Sequence, residues 1–80
     1  MKARTAAELN LIFEEASEEV LQTTNCDMAS EISNGWCEHW ARAVKKRLPG
    51  TEIRQSHGHH YIVHDGVGYD SDKYEGFEPF

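Results

Sequence analysis

Residues 59–72 read HHYIVHDGVGYDSD, two short runs of alternating apolar and polar side chains separated by Asp65 and Gly66. An Asp-Gly pair between two alternating runs is a strong signal for a β-hairpin with a two-residue turn. The pattern therefore predicts one strand over residues 59–64 and a returning antiparallel strand over residues 67–72.

The register of this hairpin decides which side chains share a face of the sheet. Opposite residues share a face and successive residues alternate, so His59 and Tyr61 are placed on the same face as Asp70. His60 and Ile62 project from the other face. His59 and Asp70 are diagonal neighbours, roughly 7–8 Å apart at Cα, which brings their side chains within hydrogen-bonding reach. The hairpin is expected to set a carboxylate beside an imidazole.

Two helices are predicted before the hairpin. The first spans residues 5–22, begins at a capping box made by Thr5 and Glu8, and carries apolar residues at three- and four-residue steps. The second spans residues 36–48 and is ended by the pair Pro49-Gly50. Both helices have one apolar stripe, which must be buried against another layer.

A small sheet completes the chain. Residues 51–56 are predicted to form a strand before the hairpin, and Tyr74, Phe77, Pro79 and Phe80 in the tail are expected to cover one end of the core. The 80 residues are predicted to form a single α+β domain, with two helices packed on an antiparallel sheet of about three strands.

Composition and charge restrict the classes of function. The chain is 39% hydrophobic and 28% charged, which is typical of globular proteins, and no apolar run approaches the roughly 20 residues that cross a bilayer. The N-terminus does not resemble a signal peptide, so a cytoplasmic protein is expected, with Cys26 and Cys37 as reduced thiols. No membrane association and no cofactor are expected.

The net charge of −6 is unevenly distributed. Between Arg4 and Arg42 there is no lysine or arginine, whereas acidic residues are frequent, among them Glu14, Glu15, Glu18 and Glu19. This balance argues against direct nucleic-acid binding, which requires a basic footprint. It permits the reverse arrangement, in which the four glutamates bind a basic surface on a nucleic-acid-binding protein complex. A solvated helix face is the simpler interpretation.

Cys37 lies where the second helix begins. The helix dipole and free N–H groups at that position favour a thiolate, and a nearby imidazole favours it further. If the inner face of the helix packs on the sheet face that carries His59, a site of Cys37, His59 and Asp70 follows. Cys37 is then the nucleophile, His59 the general base and acid, and Asp70 the group that orients the imidazole.

The same residues resemble a known superfamily. GWCEHWA, residues 35–41, resembles the start of the nucleophile helix in papain-like and transglutaminase-like thiol enzymes. GHHYIVHDGVGYDS, residues 58–71, resembles the strand pair that supplies their histidine and aspartate. The resemblance implies a minimal papain-like core and a thiol hydrolase or acyl transferase acting on an amide-type bond of a protein or peptide, with Cys37, His59 and Asp70 in the roles above.

This chain departs from the papain-like pattern around the oxyanion hole. Those enzymes place a glutamine upstream of the cysteine, whereas position 31 here is Glu and Asn34 is the only nearby amide. Asn34 is therefore the candidate oxyanion residue, and Trp36 is a candidate for lining the substrate cleft. The chain is also too short for a sizeable second lobe, which makes a reduced or vestigial site an alternative.

Other interpretations stay open at this point. Cys37 on an apolar helical face is consistent with an ordinary buried thiol. In size and charge the chain also resembles small acidic proteins of phages and mobile elements, such as anti-CRISPR proteins, which implies a non-catalytic inhibitor that binds a host effector complex and blocks DNA or RNA binding. Zinc is the least favoured, because Cys-x-His and His-x-His-His are not the spacing of a strong structural site.

Overall fold

The computed structural model describes residues 5–79. In chain order it contains helix α1 (Ala6–Thr23), a 3₁₀-helix (Ala29–Asn34), helix α2 (Cys37–Arg47) and the strands β1 (Glu52–Ser56), β2 (His59–His64), β3 (Val67–Asp70) and β4 (Lys73–Phe77). The four strands form one antiparallel sheet in the order β1-β2-β3-β4. The predicted α+β class is confirmed.

The central hairpin has the predicted register. His64 pairs with Val67 and Val63 pairs with Gly68, so Asp65 and Gly66 are the turn residues. Both adopt positive φ angles, 54° and 79°, which the two-residue turn requires at both central positions. The alternation of faces expected from the sequence therefore holds along β2 and β3.

The sheet is larger than the sequence indicated, because the tail pairs as a fourth strand. β4 returns along β3 with Asp70 opposite Lys73 and Gly68 opposite Phe77, and the ladder shifts register between these two pairs. Tyr74 packs against the core, as expected of the tail, whereas Phe80 lies outside the described residues.

Both long helices pack on one face of the sheet. The fully buried Trp40 of α2 contacts the Phe13 ring of α1, with 5.5 Å between centroids, and stacks on Tyr74 of β4 at 6.3 Å. Its indole N–H donates to Ser17 Oγ at 3.1 Å, so the polar atom of the largest core side chain is satisfied. Ile62 of β2 completes this core from the sheet side.

The opposite face of the sheet is also partly buried. Tyr61 and Val63 are only 1% and 8% exposed, although the helices lie on the other side. The Phe77 ring lies 5.4 Å from the Tyr61 ring and directly over Gly68, where a Cβ would approach Phe77 to 2.6 Å. A small apolar cluster therefore covers this second face, and the absence of a side chain at Gly68 makes room for it.

Candidate thiol site at the start of helix α2

The chain turns sharply before the site. The 3₁₀-helix ends at Asn34, and Gly35 has a φ of 131°, a conformation that residues with a Cβ rarely adopt. Trp36 then caps α2 without a side-chain hydrogen bond, and Cys37 is the first helical residue. The first N–H groups of an α-helix have no acceptor within the helix. Cys37 is thus placed at the positive end of α2 by a glycine turn.

Cys37 contacts His60 of β2, not His59. Its Sγ lies 3.7 Å from Nδ1 of the His60 ring, and the backbone N–H of His60 donates to the same sulfur at 3.3 Å. The β2–β3 ladder ends at the pair of Ile62 and Tyr69, and His60 lies two residues beyond it. Beyond the last pair of β2 with β3, the Cys37 sulfur is the acceptor for the His60 N–H.

The other nitrogen of the His60 ring faces a carboxylate. Nε2 lies 4.0 Å from Oε1 of Glu38, the residue that follows the cysteine on α2. Glu38 also forms an ion pair with Arg42 one turn further along the helix. The imidazole is therefore placed between a thiol on one side and a partly exposed carboxylate on the other.

Access to the sulfur is narrow. Cys37 is 8% exposed, whereas the His60 and Glu38 side chains are 20% and 45% exposed. Glu38 also lines a cavity of about 110 Å³ together with His39 and Arg42. A small molecule would reach the thiol from the side of His60 and Glu38.

The predicted convergence of Cys37, His59 and Asp70 is wrong. His59 and Asp70 do pair, with Nε2 3.2 Å from Oδ2, and Asp70 also accepts the Asp72 backbone N–H at 2.8 Å. However, these two side chains project from the face of the sheet that is turned away from α2. The pairing within the hairpin was predicted correctly, but α2 packs on the other face of the sheet, which carries His60.

Asn34 and Trp36, the two residues proposed for the oxyanion hole or cleft, differ in their surroundings. The Asn34 side chain is exposed and makes no hydrogen bond to any described residue. Trp36 is half-buried and packs against the hydrophobic core. Neither side chain forms a polar contact with Cys37 in residues 5–79, whereas the backbone N–H of His60 does.

Of the four glutamates proposed as a partner surface, two lie close to basic residues of α2 and two do not. Glu19 pairs with Lys46 and Arg47 at 2.8 Å each, and Glu15 lies 3.8 Å from Arg47. Glu14 and Glu18 are exposed and form no ion pair with a described cation. The basic cluster of α2 thus neutralises one half of the acidic face. Binding to a basic partner stays a prediction.

The second cysteine differs from the first in its surroundings. Cys26 is 3% exposed, and its thiol donates to the Met28 carbonyl oxygen at 3.2 Å. No histidine contacts it within the described chain. Among residues 5–79, no three His, Cys, Asp or Glu side chains are grouped so that they could hold a metal ion.

Comparison with known proteins adds no relative. No protein-family model matches the chain, and neither curated proteins nor solved structures yield a match. Within residues 5–79 no helix has the length and apolar character needed to cross a membrane.

Proposed function

We propose that this chain is a minimal thiol hydrolase or acyl transferase in which Cys37 is the nucleophile and His60 is its proton-transfer partner. The observation that carries the proposal is the 3.7 Å separation of Cys37 Sγ and His60 Nδ1. A nucleophilic thiol needs an imidazole near enough to accept its proton, and contacts of this kind are often looser before substrate binds.

The reaction follows the general scheme of cysteine acyl transfer. Nδ1 of His60 accepts the thiol proton while Sγ attacks the carbonyl carbon of an amide or ester. The tetrahedral intermediate collapses, His60 returns the proton to the leaving amine or alcohol, and a thioester remains on Cys37. Water then gives a proton to His60 and attacks the thioester carbon, the C–S bond breaks to release the acid, and His60 returns the proton to the sulfur. An amine in place of water makes the reaction a transfer.

Two backbone features favour the thiolate and the developing oxyanion. The His60 N–H that donates to Sγ at 3.3 Å is a fixed dipole directed at the sulfur. Cys37 also lies at the start of α2, where the helix dipole stabilises negative charge and free N–H groups face outward. These groups need no reorganisation during the reaction, which is the property that makes oxyanion holes effective.

Glu38 takes the role that was predicted for Asp70. A carboxylate on the far side of an imidazole fixes the ring orientation and stabilises the imidazolium that forms during proton transfer. The 4.0 Å separation of Glu38 Oε1 from His60 Nε2 is at the limit of an ion pair. Protonation of His60 would strengthen this attraction, because it adds a positive charge to the ring.

The experiment uses an activated ester, p-nitrophenyl acetate, as the acyl donor. We expect a burst of p-nitrophenol equal to the enzyme concentration and an acetyl group on the Cys37 peptide in a mass spectrum. The burst should be absent in Cys37→Ser, slowed at least about tenfold in His60→Gln because a general base contributes 10²–10⁴-fold, and unchanged in His59→Gln.

His59 is a matched control for His60, since the two neighbouring histidines lie on opposite faces of the same strand. Acetylation spread equally over Cys26 and Cys37 would argue against the proposal. So would an equal loss of rate in the two histidine variants, because only His60 contacts the sulfur.

A further inference from the structure

A second recessed surface lies away from the thiol site, between the first half of α1 and the strands β3 and β4. This cleft has a volume of about 440 Å³, within the usual size range of small-ligand sites. The side chains that matter for its chemistry are Leu9, Glu14, Tyr69, Tyr74 and Glu75. We refer to it as the tyrosine–glutamate cleft.

The cleft has a carboxylate on each of two walls. Glu14 comes from α1 and Glu75 from β4, and both are exposed. Neither carboxylate forms an ion pair with a lysine, arginine or histidine among residues 5–79. This distinguishes them from Glu19, which Lys46 and Arg47 neutralise on the same helix.

Two tyrosine rings form the aromatic part of the lining. The Tyr69 residue is only 8% exposed, yet its hydroxyl makes no hydrogen bond to a described residue. The Tyr74 hydroxyl is 2.6 Å from Ser17 Oγ, which fixes the ring against the core. Aromatic faces attract cations, and a rigid ring does so at little cost in conformational entropy.

We propose that the tyrosine–glutamate cleft binds the guanidinium or ammonium group of an arginine or lysine side chain from a protein partner. Two carboxylates and two aromatic rings lining one cleft suit a cationic head, because carboxylates accept charge-assisted hydrogen bonds and aromatic rings attract positive charge. The Tyr69 hydroxyl, which has no hydrogen-bond partner among residues 5–79, can accept a further hydrogen bond, and the apolar Leu9 can contact the aliphatic stem.

The surface beside the cleft favours a polypeptide over a free amine. Leu11 is 58% exposed and lies three residues before Glu14 on α1, so the two side chains are neighbours on the helix surface. An exposed leucine next to a cation site offers apolar contact that a small amine cannot use. The net charge of −6 adds attraction for a basic segment. This site is independent of the thiol chemistry.

The test is an NMR titration of the ¹⁵N-labelled full chain with N-acetyl-arginine amide. N-acetyl-citrulline amide is the matched control, because it has the same shape without the charge. We expect saturable shifts for the arginine compound that are confined to residues 6–14 and 69–75, and none for citrulline. Equal binding of both compounds, or no saturable shifts, would overturn the proposal.

Two pairs of variants test whether binding depends on the carboxylates of the cleft or only on the net charge of the chain. Glu14→Gln with Glu75→Gln should weaken binding about fivefold, which corresponds to a loss of about 1 kcal/mol over the two exposed ion pairs. Glu31→Gln with Glu78→Gln removes the same charge at exposed positions outside the cleft lining and should change binding less than about twofold. Equal effects of the two pairs would show nonspecific attraction and refute the site.

A short peptide tests whether the cleft binds a basic side chain of a polypeptide or a small free amine. The acetylated peptide Leu-Gly-Arg-Gly amide should bind at least several-fold more tightly than the single amino acid, and Leu11→Ser should remove this advantage without affecting the amino acid. If peptide and amino acid bind equally to the wild-type chain, the cleft recognises small amines and the protein-partner assignment is refuted.

Discussion

Ser17→Ala tests the polar contact that joins α1, α2 and β4 in the core. Ser17 on α1 is 7% exposed, and its hydroxyl contacts Tyr74 of β4 at 2.6 Å and Trp40 of α2 at 3.1 Å. One oxygen therefore joins both helices and the last strand. Substitution by alanine removes the two contacts without leaving a cavity larger than the hydroxyl.

The loss of stability caused by this substitution depends on the hydrogen bonds that Trp40 and Tyr74 retain. Each net hydrogen bond contributes about 0.5–1.5 kcal/mol. Trp40 Nε1 and the Tyr74 hydroxyl each keep the Phe13 carbonyl oxygen as a partner at 3.3 Å, so neither group is left unsatisfied. Alanine also gains up to about 0.5 kcal/mol in helix propensity. We therefore expect the free energy of unfolding to fall by about 1 kcal/mol, which lowers the Tm by about 4–8 °C.

Urea unfolding followed by tryptophan fluorescence measures this change, with thermal unfolding by circular dichroism as the second reading. Ser30→Ala, at an exposed position of the 3₁₀-helix, is the control and should stay within about 0.5 kcal/mol of wild type. A Ser17→Ala variant as stable as wild type, or more stable, would refute the reasoning that the hydroxyl network stabilises the packing of α1.

Two further predictions concern the outer contacts of the fold. Hydrogen bonds from Lys46 and then Arg47 lower the pKa of Glu19 below its ordinary value, so its stabilisation is present at neutral pH and lost as the pH falls below about 4. Glu19→Gln should cost about 0.5–1 kcal/mol at pH 7 and less at pH 3, measured by urea unfolding at both values. Gly68→Ala should cost about 1–3 kcal/mol in the same assay, because the new Cβ meets the Phe77 ring at 2.6 Å.

A specific result would contradict each of these two predictions. A Glu19→Gln penalty that is equal at pH 7 and pH 3 would mean that its carboxylate charge plays no part in the contact between α1 and α2. An unchanged free energy of unfolding in Gly68→Ala would mean that the Phe77 ring is not held over β3.

The sequence predicted the parts of the fold that local chemistry determines. Asp65 and Gly66 specify a turn, and the turn alone fixes the register and the pairing of His59 with Asp70. The capping box of Thr5 and Glu8 likewise marks the start of α1, where both of its hydrogen bonds form. These features depend on residues close together in the chain, so they can be predicted without the tertiary structure.

The sequence could not decide which face of the hairpin meets α2. The prediction therefore placed His59 beside Cys37, where the structure has His60. Tyr61 and Val63 on one face are about as apolar as Ile62 on the other, and all three are buried. The first face is covered by Phe77 of β4, a strand that the spacing of the tail did not reveal. A useful signal was missed in β1, where Ile53 pairs with Ile62 and extends the apolar face toward the helices.

We propose that His60 activates the thiol of Cys37. The rate at which iodoacetamide alkylates this thiol tests the proposal. Rates at pH 6.5, followed by mass spectrometry of the Cys37 and Cys26 peptides, should differ by at least about tenfold in favour of Cys37. This difference should disappear in His60→Gln and persist in His59→Gln. Equal slow labelling of both cysteines in the wild-type chain, or the same loss in both histidine variants, would contradict the account.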